Sequence, residues 1–125
     1  MGEGAIKGTV LVVDDDPDII DFLENALEDA GYLVLAAVGA ESLGVAYELQ
    51  PDVILLDINM PGMDGVEVSQ RLRDNPVTAA IPIVVMSAQD RLQTTGPLMP
   101  VNDRLPKPFD LARLYEVVAR WTPAA

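Results

Sequence analysis

Short apolar runs rich in Val, Ile and Leu alternate along this chain with segments whose apolar residues recur at helical spacing. The runs are TVLVV, YLVLAAV, DVILLDI and IPIVVMSA, with a weaker fifth one around RLPKP. Runs of this length that are apolar on both faces are typical of parallel strands covered by helices. Strands that alternate with helices form βαβ units, so the sequence predicts an α/β fold with a central parallel sheet.

Residues that begin and end helices stand between these runs. Asp16 followed by Pro17 predicts a capping residue and the first position of a helix, and Gly31 predicts the end of that helix. The fourth helix is the exception, because Thr94 and Thr95 are mediocre helix formers. The residues that oppose a long helix there are Gly96, Pro97 and Pro100. We therefore predict a short or irregular fourth helix, with residues 91–102 irregular or mobile.

The length and composition limit the class of protein. The 125 residues suit one domain, which we place at residues 9–122 between a loose tail at 1–8 and a short tail at 123–125. No apolar run approaches the roughly 20 residues that span a bilayer, and the start of the chain lacks the layout of a signal peptide. The chain has no Cys and no His, which excludes disulfides, thiolate zinc sites and imidazole catalysis. These features favour a cytoplasmic domain without membrane insertion.

The net charge of -12 affects which classes of partner the chain is expected to bind. A field of that sign repels phosphate backbones, so direct binding of nucleic acid is disfavoured. Cations and partners with basic faces are favoured instead, although solubility alone also accounts for such a charge.

Polar side chains stand at the ends of the predicted strands. The first strand runs into Asp14, Asp15 and Asp16, and the third, fourth and fifth each end in a single polar residue: Asp57, Ser87 and Lys107. The second strand has no such residue. Ligands of open parallel sheets bind beyond the carboxyl ends of the strands, so we expect these groups to meet. Gathered carboxylates repel one another, and oxygen ligands at close range suit Mg²⁺. A carboxylate held beside Mg²⁺, a hydroxyl and an ammonium can attack phosphorus and form an acyl phosphate.

Each of these residues also has an ordinary structural explanation. Asp16 before Pro17 is explained by helix capping alone, and the pair Asp14–Asp15 by solvation of a turn. Ser87 could simply end a strand, and Lys107 could be a solvated surface lysine. The functional interpretation depends on all of them lying at strand ends of one alternating chain.

Four motifs together resemble the receiver domain of two-component response regulators. They are VLVVDDDP, PDVILLDINMPGMDG, IPIVVMSA and LPKPF, and the resemblance covers about residues 9–121. It implies a flavodoxin-like (βα)5 three-layer sandwich with strand order 2-1-3-4-5. It also implies a cis peptide bond between Lys107 and Pro108.

The resemblance implies a role for each site residue. Asp57 corresponds to the phosphoacceptor, Ser87 to the switch hydroxyl and Lys107 to the lysine that pairs with the phosphoryl group. The implied Mg²⁺ ligands are Asp14 (through water), Asp15, Asp57 and the backbone carbonyl of Asn59. Pro61 and Gly65 correspond to the turn after the acceptor.

One position departs from the family pattern. Three residues before the lysine the family usually has Tyr or Phe, whereas this chain has Arg104. The resemblance implies that this aromatic side chain moves inward when the switch hydroxyl is drawn to the phosphoryl group. An arginine that did the same would bury a charge, which is costly without a partner. We expect Arg104 to stay outward and to reach an acidic group on this chain or on a partner.

The leading functional hypothesis is a phosphoacceptor domain in a His-Asp phosphorelay, phosphorylated by a histidine kinase or a phosphotransfer protein. Such a domain is not an enzyme toward outside substrates, takes part in its own Mg²⁺-dependent phosphorylation and dephosphorylation, and signals to a downstream protein by contact. One alternative is a receiver-like scaffold that works without phosphorylation. A small phosphatase of the haloacid dehalogenase type would need a second Asp where Asn59 stands, and a nucleotide-binding domain would need a Gly-rich loop after the first strand.

Overall fold

The computed structural model describes residues 6–60, 62–95, 97 and 99–123. Within these residues, five strands alternate with five helices. The strands are β1 (Thr9–Val13), β2 (Leu33–Ala37), β3 (Val53–Asp57), β4 (Ile83–Ala88) and β5 (Asp103–Lys107). The helices are α1 (Pro17–Asp29), α2 (Glu41–Leu49), α3 (Gly65–Asp74), α4 (Gln89–Thr94) and α5 (Leu111–Trp121). Within the described part of the chain, no helix is long and apolar enough to cross a membrane.

The sheet is parallel, with strand order β2-β1-β3-β4-β5. The predicted fold class is therefore confirmed. The chain order reverses between β1 and β3, which are neighbours at the centre of the sheet. That reversal leaves a crevice beyond the carboxyl ends of β1 and β3, the usual place for a ligand in such sheets.

Alternate residues of the central strands enter two separate cores. Val10 and Val12 of β1 pack with helices α1 and α5 on one face of the sheet. Leu11 and Val13 of the same strand pack with helices α2, α3 and α4 on the other face. Side chains of a strand alternate between faces, so the runs Val10–Val13 of β1 and Val53–Leu56 of β3 are apolar because both of their faces are covered.

Local sequence signals start and stop helix α1 as predicted. The Asp16 side chain accepts a hydrogen bond from the Asp18 amide and caps α1, with Pro17 at the first helical position. Asp64 caps α3 and Asp110 caps α5 in the same way. Gly31 has φ +102° just after α1, a left-handed conformation that glycine adopts without steric cost.

Helix α4 is short, as predicted, with six residues. It covers Gln89–Thr94, so the predicted irregular range of 91–102 is wrong for its first four residues. The described residues between Thr95 and Asn102 form no further α-helix or strand, and Gly96 and Leu98 lie outside the described residues. The prediction failed locally because Leu92 is buried against the second core, and tertiary packing outweighs the weak helix propensity of this segment.

The irregular segment after α4 is anchored by one arginine. The Arg73 guanidinium donates to the carbonyl of Pro100 and to the side chain of Asn102. It also donates to the carbonyls of Ala79 and Ile81, at 3.0 Å and 2.7 Å. A single planar side chain thereby joins the end of α3 to the loop before β4 and to the segment before β5.

Candidate functional site

The carboxyl edge of the sheet brings the predicted acidic residues together. Asp14 follows β1 directly, and Asp57 is the last residue of β3. One carboxylate oxygen from each of Asp14, Asp15 and Asp57 lies within 4.8 Å of the other two. Asp14 and Asp57 are buried, whereas Asp15 is exposed. The cluster is therefore open to solvent on one side and closed on the other.

Lys107 supplies the opposing charge from the end of β5. Its Nζ atom lies 3.3 Å from Asp14 Oδ2 and 3.6 Å from Asp57 Oδ1. The peptide bond between Lys107 and Pro108 is cis, as predicted. The two distances show that Lys107 lies beside one carboxylate just after β1 and another at the end of β3.

Ser87 lies on the neighbouring strand, at the penultimate position of β4. Its side chain is buried, with 3% of the residue exposed. Met86, which precedes it, pairs with Asp57 in the sheet, and Ser87 itself pairs with Pro106. The hydroxyl-bearing residue therefore stands between the strand that carries Asp57 and the strand that carries Lys107.

The pKa of Asp57 reflects these surroundings. Burial raises the pKa of Asp57 to about 6, because a desolvated carboxylate resists ionisation. The Lys107 ammonium opposes that rise, and the Asp14 and Asp15 carboxylates add to it. An added cation at the cluster would therefore favour the ionised form of Asp57.

The donor set at this edge suits a hard divalent cation. All of the clustered ligand atoms are carboxylate oxygens, which Mg²⁺ prefers. Asp15 and Asn59 also line one open depression together with Met60 and Asp64. Asp14 Oδ1 already accepts a hydrogen bond from the Asp16 amide at 3.0 Å. The residues present therefore fit a Mg²⁺ ion approached from the Asp15 side.

The turn after Asp57 is tight, and Gly65 makes it possible. The Gly65 amide donates to the Ile58 carbonyl at 2.8 Å. A Cβ atom at position 65 would collide with the carbonyl oxygen of Asp57 and would lie 2.8 Å from Ile58 Cα. Glycine is therefore required by close backbone approach, in agreement with the predicted turn, while Pro61 lies outside the described residues.

Arg91 reaches the site although the sequence did not point to it. Its Nη2 atom donates to Asn59 Oδ1 at 2.9 Å, across 32 positions of the chain. The sequence signal that could have found it is its position on the first turn after the β4 strand that carries Ser87.

Arg104 is exposed on β5, so its predicted outward orientation is confirmed. Its predicted partner on this chain is not found: among the ranges that the structure describes, Arg104 forms no ion pair. The neighbouring Asp103 instead pairs with Arg120 at 2.6 Å and accepts from Trp121 Nε1 at 2.8 Å. These two contacts join the start of β5 to the end of α5 and leave Arg104 facing solvent.

Comparison with known proteins agrees with this geometry. The family model described as "Response regulator receiver domain" matches residues 10–119. The transcriptional regulatory protein PrrA of Mycobacterium bovis is 46% identical over 96% of this chain and 51% of its own length. The master transcriptional regulator RpaA of Synechocystis is 43% identical over 89% of this chain and 49% of its own length. The chain belongs to the family of receiver domains of two-component response regulators, and it spans about half the length of these curated relatives.

Solved structures with the same fold include a chemotaxis response regulator and the receiver domain of a sensor histidine kinase. The chemotaxis response regulator CheY4 of Vibrio cholerae has a TM-score of 0.82 and 31% identity, over 90% of this chain and 96% of that one. The receiver domain of the sensor histidine kinase PA1611 of Pseudomonas aeruginosa has a TM-score of 0.84 and 28% identity, over 91% and 96%. That domain holds a magnesium ion in its active-site cleft.

Proposed function

We propose that this receiver domain accepts a phosphoryl group on Asp57 in a His-Asp phosphorelay, with Mg²⁺ as its cofactor. The observation that carries the proposal is the contact of one buried carboxylate with both an acidic cluster and an ammonium. Asp57 lies within 4.8 Å of carboxylate oxygens of Asp14 and Asp15, and 3.6 Å from Lys107. The magnesium ion in the similar PA1611 domain supports the choice of cation.

The chemistry follows from the groups at the site. An Asp57 oxygen attacks the phosphorus of the donor, and the bond from phosphorus to the leaving group breaks with its electron pair going to the leaving group. The product is a carboxyl–phosphate mixed anhydride on Asp57. Because only the ionised carboxylate is nucleophilic, the cations near Asp57 favour the reactive form.

The remaining residues act on the transferring oxygens. Lys107 pairs with the phosphoryl group after transfer, and the Ser87 hydroxyl donates a hydrogen bond to it. Asp14, Asp15, Asp57 and the Asn59 backbone carbonyl are the proposed Mg²⁺ ligands, with Asp14 acting through water. When bound there, Mg²⁺ supplies positive charge that offsets the negative charge of the phosphoryl oxygens.

The donor is proposed to be a histidine kinase or a phosphotransfer protein, because this family receives its phosphoryl group from such partners. The output is contact with a downstream protein, and the acidic surface disfavours direct contact with nucleic acid. The domain is proposed to act on no outside substrate and to catalyse only its own phosphorylation and dephosphorylation.

Intact mass measurement tests the proposal directly. The protein is incubated with acetyl phosphate, with Mg²⁺ or with EDTA, and compared with Asp57→Asn and with Glu116→Gln, which removes an exposed carboxylate on α5. We expect one phosphoryl group on the wild type and on Glu116→Gln with Mg²⁺, and none on Asp57→Asn. Absence of labelling in the wild type would favour the phosphorylation-independent scaffold.

A further inference from the structure

A side-chain hydrogen bond joins Arg91 of α4 to Asn59, which lies beside the acidic cluster. Arg91 Nη2 donates to Asn59 Oδ1 at 2.9 Å. Arg91 Nε is buried and has no hydrogen-bond partner among the described residues. Burying an unpaired N–H costs free energy. The other contacts that hold Arg91 toward Asn59 therefore outweigh the cost of leaving this one donor unpaired.

The position of the bridge follows from the sheet. Strands β3 and β4 are neighbours, and Asp57 pairs with Met86, the residue before Ser87. The chain leaves β3 and reaches Asn59 two residues after Asp57, and it leaves β4 and reaches Arg91 four residues after Ser87. The bridge therefore joins the two segments that leave the sheet from the strands that carry the proposed acceptor and the proposed hydroxyl.

Asn59 also lines the open depression beside Asp15. The depression borders Asp15, the exposed member of the acidic cluster, whereas Asp14 and Asp57 are buried. It is therefore a solvent-accessible approach to the cluster. The hydrogen bond from Arg91 thus holds the Asn59 side chain at the edge of this depression.

From these contacts we propose that Arg91 is a positioning residue that, through Asn59, restricts the access of water to the carboxyl–phosphate bond of Asp57. The inference rests on the proposed phosphorylation of Asp57. In hydrolysis a water oxygen attacks phosphorus, the bond from phosphorus to the Asp57 oxygen breaks, and inorganic phosphate and a proton are released. Loss of the bridge lets water approach, so it shortens the lifetime of the phosphorylated protein.

The lifetime is measured by labelling with acetyl phosphate and Mg²⁺, removing the donor by rapid desalting, and following intact mass with time. The variants are Arg91→Ala, Asn59→Ala, the double variant and Arg71→Ala, where Arg71 is an exposed arginine that pairs with Glu67 on α3. We expect Arg91→Ala to shorten the lifetime about tenfold, the rate equivalent of one charge-assisted hydrogen bond. Arg71→Ala should leave it unchanged.

The double variant separates a bridge from two independent effects. If one bridge is responsible, Asn59→Ala shortens the lifetime and adding Arg91→Ala to it has no further effect. A general loss of structure would instead lower both the melting midpoint and the extent of labelling. If Arg91→Ala folds poorly, Asn59→Ala still tests the bridge, because it removes the same hydrogen bond. Arg91→Lys, which restores a donor, should recover part of the lifetime.

The outcomes distinguish this inference from the proposal on which it rests. A wild type that is labelled, with lifetimes equal in Arg91→Ala, Asn59→Ala and wild type, overturns the bridge and leaves the phosphoacceptor intact. Additive effects of the two substitutions also overturn it. A wild type that takes up no phosphoryl group overturns both.

Discussion

Lys107 Nζ lies 3.3 Å from Asp14 Oδ2, although the two residues are 93 positions apart in the chain. The same ammonium lies 3.6 Å from Asp57 Oδ1. One lysine therefore faces two buried carboxylates, with Asp15 close by. A single positive charge cannot balance three negative ones, and this imbalance underlies the first three predictions.

Lys107→Met should raise the pKa of Asp57 above its value of about 6, because the lysine lowers that pKa in the wild type. The side-chain carboxyl resonance of Asp57, followed by ¹³C NMR over a pH series without metal, measures the change. Lys7→Met removes the only other lysine, which lies over the Tyr32 ring, and should leave the pKa of Asp57 unaltered. An equal pKa in Lys107→Met and wild type would contradict the electrostatic role of Lys107.

Mg²⁺ should stabilise the fold, because a ligand that binds only the native state adds RT ln(1 + [L]/Kd) to the free energy of unfolding. At ten times the dissociation constant the gain is about 1.4 kcal/mol. Thermal melts over a Mg²⁺ series measure it, with Asp15→Asn expected to lose most of the gain. A midpoint that does not move with Mg²⁺ in the wild type would argue against the metal site.

Asp57→Asn should stabilise the metal-free protein increasingly as the pH rises from about 4 to 7. The native pKa of Asp57 is raised from 3.8 to about 6, so the protonated group favours the fold below pH 4 and that contribution is lost as Asp57 ionises. A shift of this size corresponds to about 3 kcal/mol when complete. Urea unfolding in EDTA at several pH values tests it, and a difference that does not vary with pH would be the contrary result.

Gly65→Ala should destabilise the protein, because the added Cβ would collide with the Asp57 carbonyl oxygen and approach Ile58 Cα to 2.8 Å. Overpacking of this kind costs about 1–3 kcal/mol. Gly44→Ala is the matched control, since nothing lies within 4 Å of its added Cβ inside α2. That control should stabilise the helix by about 0.5–1 kcal/mol. Urea unfolding of both variants measures the two changes, and equal stabilities would contradict the close approach at Gly65.

Asp103→Ala should destabilise the protein most above the ordinary carboxyl pKa. Burial opposes ionisation of Asp103, but hydrogen bonds from Trp121, the Arg104 amide and Arg120 outweigh it, so the pKa lies below its usual value. A lowered pKa stabilises the fold above the unfolded value, and that stability disappears as the pH falls through the native value. Urea unfolding followed by Trp121 fluorescence, with exposed Asp21→Ala as control, tests this. A stability difference from wild type that persists unchanged into acid would refute it.

Much of the fold could be predicted because the relevant signals are local. The apolar run Val53–Leu56 needs cover on both faces, and the pair Asp16–Pro17 favours the start of a helix. Parallel strands expose their carboxyl ends at one edge, so Asp14, Asp57 and Lys107 were expected to meet before any distance was known. Helix α4 was less well predicted because Leu92 is held by contacts with residues far away in the chain.

The sequence by itself determined the class of fold, the order of strands and helices, and which residue types stand at the strand ends, because these depend on hydrophobic periodicity and on neighbouring residues. Only the tertiary structure decided that Lys107 faces both Asp14 and Asp57, that burial raises the pKa of Asp57, and that Arg91 reaches Asn59. The physical reason is that electrostatic and hydrogen-bond energies depend on separations of a few ångströms between residues that are tens of positions apart, and no local pattern fixes those separations.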